Sequence, residues 1–379
     1  MGGMMMRKTV SLLLTIIVFS GLIQSAYADT EVKAYCMISA DSCEMLSGQS
    51  TDEQYGAAGL CKLPAILTLC RSMDRGLIER DAVVSVSKCA SGVGGPTAFL
   101  KQGEQITAEE LFRAAVMISA GDAIYALMEH AFGSEDVFLQ NIQLTLKEIG
   151  VDHEMRKALG NSEQFTCRDL ALLGDAALKS ETFRAYCTEK YAILHHADGR
   201  DTELANANKL LNALSGCIGL ITGSSNEDGY CGVFACRRKD TTFILALVGA
   251  KNSKSRFELA TRLYEEAFSE FSVTPLCDVD EALIEEYPVE GGDVDRIDLY
   301  TKESISVLRK KSDGDPASEF CLPDVLHAPL DPESAVGTVL FTDANGNVLY
   351  ELALYPKERV EATGFRESMK RVIKSYCNG

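Results

Sequence analysis

The sequence predicts an α/β fold. An antiparallel sheet is flanked by helices, carries a helical insertion and is followed by a small all-β domain. Three observations lead there. Short strand-like runs come first, a block of segments with helical apolar spacing follows, and three further apolar runs precede one long helix. Beyond Phe271 the texture changes to short β-rich runs broken by Gly, Asp and Pro, and it continues to Pro356.

The chain begins with what reads as a cleaved secretory signal, residues 1–28. Arg7 and Lys8 precede an apolar run from Ser11 to Ile23, and Ala26-Tyr27-Ala28 supplies a small-x-small cleavage pattern. The run is short for a membrane span. Ala34 to Ser50 then reads as two strands joined by the turn-forming Ala40-Asp41-Ser42. A helix is expected from about Ala57 to Arg71, with Leu60, Leu63, Ile66, Leu67 and Cys70 at helical spacing and Pro64 near its first turn, where a missing N–H costs least. Further helices are expected over Ala108–Ser119, Ala123–Phe132, Ser134–Ile149, Thr166–Lys179 and Ser253–Phe271. Between the last two, Cys217–Thr222, Tyr230–Arg237 and Thr242–Ala250 read as consecutive antiparallel strands. The β-rich region has Asn345-Gly346 between apolar runs, a strong hairpin signal. The expected organisation is a main domain over 29–273, a β-rich domain over 274–358 and an amphipathic tail over 359–379. In that tail Phe365, Met369, Val372, Ile373 and Tyr376 share a face, ringed by Arg366, Lys370, Arg371 and Lys374.

Composition narrows the function. With 55 acidic against 37 basic residues the formal charge is -18, which argues against nucleic acid as a partner, since phosphate binding needs a basic face. The 13 cysteines form no paired CxxC zinc pattern, and their odd number leaves at least one unpaired within the chain. Most read as small buried apolar residues; some disulfides are open to them, with a connectivity that spacing does not fix. Cys231 and Cys236 are an odd number apart in a strand-like run and should face opposite sides. His195-His196 lack a carboxylate-rich helix or an HExxH pattern, and read as a surface loop rather than a metal site. No metal or other cofactor is expected.

Several stretches carry a resemblance. "AFLKQGEQIT" (Ala98 to Thr107), "CRDLALLGDAAL" (Cys167 to Leu178), "NANKLLNALSGCIGLITGSSNEDGYCGVF" (Asn206 to Phe234) and the β-rich "YPVEGGDVDRIDLY" resemble, in this order, segments of the D-alanyl-D-alanine carboxypeptidases, the low-molecular-mass penicillin-binding proteins. The resemblance spans nearly all of the chain after the signal and implies a β-lactamase/transpeptidase-like fold. It implies a serine that attacks the terminal D-Ala–D-Ala carbonyl, a lysine one turn later that helps take its proton, a Ser-x-Asn loop and a Lys-Thr-Gly edge strand. Each motif is incomplete here. Gly59 stands at the nucleophile position with Lys62 retained; Ser119 is retained with Gly121 at the asparagine position; Ile221 stands at the lysine position with Thr222 and Gly223 retained. Arg256 aligns with a basic residue near the family's cleft, where it could attract a substrate carboxylate.

Loss of a hydrolase's serine alone costs on the order of a million-fold in turnover. Two substitutes within the sequence fail on geometry. Ser85-Val86-Ser87-Lys88 matches the pattern in letters, but in a strand-like run positions i and i+3 face opposite ways. Cys61 on a helix lies about 200° from residue 59 and about 100° from Lys62, and should point inward. Without a cation at 221 to disfavour its charge, Lys62 is expected to stay largely protonated. The leading expectation is a secreted pseudoenzyme of this fold that binds peptidoglycan stem peptides ending in D-Ala-D-Ala, or a cell-wall protein. Its tail would touch the outer face of the cytoplasmic membrane. One alternative is an active enzyme using Ser119 and Lys62. Another is a structural or regulatory cell-wall partner whose cleft holds no ligand.

Overall fold

The computed structural model describes residues 32–40, 42–159 and 163–364. The expected signal and residues 365–379 of the expected tail lie outside the described residues. Among the described residues no helix is long and apolar enough to cross a membrane.

The chain opens with β1 (Ala34–Ser39) and β2 (Met45–Gln49), then a short β3 (Tyr55–Gly56). The helix expected from Ala57 is split: a 3-10 turn covers Ala58–Lys62 and the α-helix α1 runs Leu63–Asp74. Pro64 explains the split. It has no N–H to offer the carbonyl of Leu60, so the α-helical ladder cannot pass through it. That carbonyl instead accepts from the N–H of Leu63, one residue nearer. Ten of the twelve α1 residues are buried, which makes this the central helix of the domain.

The helical block follows: β4 (Val83–Ser85), α2 (Lys88–Ser91), β5 (Gln105–Thr107), α3 (Ala108–Ile118), α4 (Gly121–Phe132), α5 (Glu135–Ile149), β6 (Gln164–Phe165), α6 (Cys167–Lys179) and α7 (Glu181–Cys187). The starts of α3, α5 and α6 are fixed by Thr107, Ser134 and Thr166, whose side chains accept from backbone N–H groups three residues on. Then come the ribbon β7 (Tyr191–His195) and β8 (Asp201–Ala205), and α8 (Leu210–Ala213). Three long strands, β9 (Cys217–Ser225), β10 (Gly229–Arg238) and β11 (Thr241–Ala250), lead to α9 (Ser253–Glu270).

The main sheet has the order β2-β1-β11-β10-β9, and every neighbouring pair is antiparallel. Its middle strand shows why the sheet is covered on both sides. Ile244, Ala246 and Val248 of β11 join the core beneath α1 and the helical block, while Phe243, Leu245 and Leu247 join the core under α9. Cys231 and Cys236 divide the same way, one into each core, as their odd spacing requires. The twelve cysteines among the described residues are all thiols, and eight are buried.

The β-rich region begins where α9 ends. Its strands are β12 (Phe271–Cys277), β13 (Ile284–Glu290), β14 (Arg296–Tyr300), β15 (Ile305–Lys310), β16 (Ala317–Cys321), β17 (Leu326–His327), β18 (Gly337–Thr342) and β19 (Val348–Pro356). β12 pairs with β15, and the others form a sheet of order β16-β18-β19-β14-β13-β17. The β18–β19 turn contains Asn345-Gly346, with Gly346 at φ +82 and the Asp343 carboxylate accepting from the N–H groups of Asn345 and Asn347. The described start of the expected tail is extended, with Val360 bridging to Leu330 and Ala362 to Gly292.

Candidate active site

The site is built where the 3-10 turn, the α3–α4 junction and β9 meet. Lys62 ends the turn and is only 3% exposed. Its Nζ donates to the backbone carbonyl of Ser119 at 2.9 Å. Burial pulls its pKa below the ordinary lysine value, with the nearby Asp122 charge acting in the opposite sense. That depression arises from desolvation and needs no cation at position 221.

Ser119 closes α3 in the left-handed region at φ +54, an uncommon conformation for a residue with a side chain. It is buried, and the chain turns there so that Gly121 begins α4 against Lys62. A Cβ built on Gly121 would lie 3.3 Å from Lys62 Nζ and 2.7 Å from Val93 Cγ1. An asparagine here would thus reach the lysine once Val93 moves aside.

On the other side, Gly59 faces the tip of β9. A Cβ on Gly59 would meet only Gly223 Cα, at 3.4 Å, an ordinary contact. The reverse is tight: a Cβ on Gly223 would stand 2.6 Å from the nitrogen of Gly59, so only glycine fits there. Ile221 lies two residues back on the same face of β9 and is 3% exposed within the main core, while Thr222 is half-buried. Arg256 is buried at 4% exposure. Its Nη1 donates to the carbonyls of Gly223 (3.1 Å) and Cys231 (2.8 Å), and its guanidinium lies over the Phe257 ring at 4.4 Å. Burial lowers its pKa to about 10. Its observed contacts brace β9.

Lys62, Ser119 and Gly121 are thus in mutual contact, Gly59 touches Gly223, and Gly223 is held by Arg256. The helix face that carries Lys62 has no hydroxyl at position 59. Cys61 does not replace it: the thiol is buried, donates to the carbonyl of Glu163 at 3.2 Å, and is pushed up to about 12 by burial. Ser85 ends β4, and Ser87 caps α2 by accepting from the N–H of Ala90, so the second Ser-x-x-Lys is structural.

Several supporting residues carry no signal in the motifs. Asp228 accepts from the N–H of Ala58 (3.1 Å) and from Ser225 Oγ (2.9 Å), tying the 3-10 turn to the β9–β10 hairpin. Ala58 itself sits at φ +49. Asp122 accepts from the N–H groups of Ala98, Leu100 and Ala123, shaping the loop beside Lys62. An acid opening a helix was the available signal, but two of its partners lie more than 20 residues upstream. His196 corrects the surface-loop reading. Its ring is buried, Nδ1 meets Glu104 Oε1 at 2.5 Å and Nε2 meets Thr202 Oγ1 at 2.8 Å, while His195 is exposed beside Asp201.

Comparison with known proteins identifies the family. The family pattern described as D-alanyl-D-alanine carboxypeptidase matches residues 23–252, and that of the penicillin-binding protein 5 C-terminal domain matches residues 271–362. The chain is 26% identical over 352 residues to the D-alanyl-D-alanine carboxypeptidase DacF of Bacillus subtilis, covering 91% of this chain and 90% of the relative. It is 27% identical to DacC of Escherichia coli, covering 88% and 86%. Penicillin-binding protein 5 from Haemophilus influenzae shares the fold with a TM-score of 0.72 at 19% identity, over 88% of this chain and 98% of that one.

Proposed function

Since the chain belongs to the D-alanyl-D-alanine carboxypeptidase family, we propose that it acts in peptidoglycan metabolism as a pseudoenzyme, binding stem peptides that end in D-Ala-D-Ala without efficient turnover. The observation that carries this reading is Gly59. It lies against the tip of β9, at the family's nucleophile position, yet it offers no oxygen to attack a carbonyl or to accept an acyl group. The retained half of each motif supports binding: Lys62 stays anchored at Ser119, and Gly223 is held by Arg256. Export through the N-terminal segment would bring the protein to the compartment that holds its polymeric ligand.

The test pairs two measurements on purified protein. Mass spectrometry after exposure to a labelled penicillin should show no stable adduct, and a D-Ala-D-Ala peptide should bind at equilibrium while remaining intact. A second reading, catalysis by Ser119 with Lys62, is favoured by one observation, the 2.9 Å contact between Lys62 and the Ser119 backbone. A stoichiometric adduct mapped to Ser119 would establish it and sink the pseudoenzyme. Failure of the peptide to bind would point instead to a structural or regulatory partner that uses the outer surface.

The tail belongs to the same proposal. Four cations around an apolar face should favour anionic lipid by roughly 1 kcal/mol per basic residue near the surface. Co-sedimentation with anionic vesicles should then fall when residues 365–379 are removed and when salt is raised. Equal sedimentation of both forms would rule out the anchor.

A further inference from the structure

Cys217 and Cys236 are directly opposite each other in the register of β9 and β10. The Arg237 N–H donates to the Gly216 carbonyl at 2.8 Å, which bonds the residue after Cys236 to the residue before Cys217. That is the pattern of a non-hydrogen-bonded antiparallel pair, set beside a register shift between Phe234 and Cys236; in a regular ladder the facing Cα atoms of such a pair are closest, about 4.5 Å apart. Disulfides span Cα separations of about 4.4–6.8 Å. Directly opposed residues also project to the same face, and both thiols lie in the core beneath α9.

We propose that Cys217 and Cys236 form a cross-strand disulfide when the protein meets a disulfide oxidant, a redox site at the base of the strand whose tip borders Gly59. The chemistry is two successive exchanges. The Cys217 thiolate attacks one sulfur of the oxidant, forming a mixed disulfide and releasing one thiol. The Cys236 sulfur then attacks Cys217 Sγ and releases the second thiol. The protein gives up two protons and two electrons, and the oxidant is reduced to two thiols.

Access and competition favour this pair. Cys217 is half-buried and supplies the entry point, while Cys236 is fully buried and waits behind it. In the reduced state the thiols make only weak contacts: Cys217 Sγ donates to the Gly219 carbonyl at 3.6 Å and accepts from Asn208 Nδ2 at 4.0 Å, and Cys236 Sγ donates to the Ser215 carbonyl at 3.4 Å. Cys187 is the nearest rival, but it belongs to the core on the other side of the sheet and donates to the carbonyl of Ile218. Burial raises both members of the pair above the ordinary thiol value, Cys236 to about 12, so exchange should quicken as pH rises.

The test incubates the full folded chain with glutathione disulfide, blocks remaining thiols in denaturant and maps peptides without reduction. One linked pair, Cys217 with Cys236, should appear two hydrogens lighter than its separate peptides and disappear on reduction. It should be absent from Cys217→Ser and from Cys236→Ser, and wild-type protein oxidised while folded should give the result even if one variant fails to fold. Full alkylation of both thiols as in the reduced control, a Cys187–Cys217 link, or a scrambled mixture of pairs would overturn the proposal.

Discussion

Penicillin acylation is expected to return when Gly59→Ser, Gly121→Asn and Ile221→Lys are combined. At position 59 the added Cβ meets nothing closer than 3.4 Å and the backbone is not left-handed, so the serine enters without strain. The hydroxyl is indispensable to that gain, because a missing nucleophile costs on the order of a million-fold. Serine alone should give far less, since it lacks the amide that orients the substrate and the cation that favours its carboxylate. Burial already depresses Lys62, so a lysine at 221 adds to an existing effect. The cost is concentrated at the other two sites. Val93 must yield to an asparagine side chain at position 121, and a lysine replacing the buried Ile221 must reach water or a partner from within the core. The triple variant should therefore melt below the wild type yet accept label. A folded triple variant that stays unlabelled at high penicillin concentration would show that the cleft no longer admits the ligand.

Alkaline unfolding is expected under reducing conditions. Cys36, Cys61, Cys70, Cys187 and Cys236 are pushed by burial to about 12 and Cys231 to about 11, against an ordinary value of 9.0. A thiol whose folded pKa is raised contributes stability that is intact below pH 9.0 and is lost as pH climbs toward the folded value. One pH unit into that window removes on the order of 1 kcal/mol per thiol, and six together approach a typical domain stability of about 5–15 kcal/mol. Lys62 and Arg256 act oppositely, because burial lowers their pKa values and stability rises as they lose protons. Burial raises Cys167 and Cys217 as well, so the raised thiols outnumber these two groups and prevail. The melting temperature with reductant present should drop steeply between about pH 9 and 10.5, and Cys61→Ala should shallow the drop. A flat profile across that range would contradict the assignment.

How far the sequence could be read depended on the distance between partners. The helical block was legible because the spacing of apolar residues records which face is buried, and the three long strands because each is apolar and bounded by turn residues. The split at Leu63 was harder: helical spacing continues through Pro64, and only the absent N–H shows that the ladder must break. At the candidate site the sequence marks motif positions, and the structure brings Lys62 to Ser119 and Gly59 to Gly223. The site's supports were not legible. Asp228 works on Ala58 from 170 residues away, and His196 on Glu104 from 92, so no local pattern reports either contact. Arg256 was legible as a cation close to the cleft, but the carbonyls that occupy it belong to strands whose packing no window of sequence reveals.

The Asp228 carboxylate has a thermodynamic consequence. By accepting from Ala58 on one wall and Ser225 on the other, it joins the two sides of the cleft in one rigid arrangement before any ligand arrives. A peptide entering such a cleft finds its binding surface already ordered, so the entropy lost on association belongs mainly to the peptide itself. Calorimetry should then report a heat-capacity change that the buried apolar contact area accounts for, with no added contribution from folding of the protein around its ligand. Asp228→Asn would loosen that arrangement, and the same binding event would carry a larger entropic penalty.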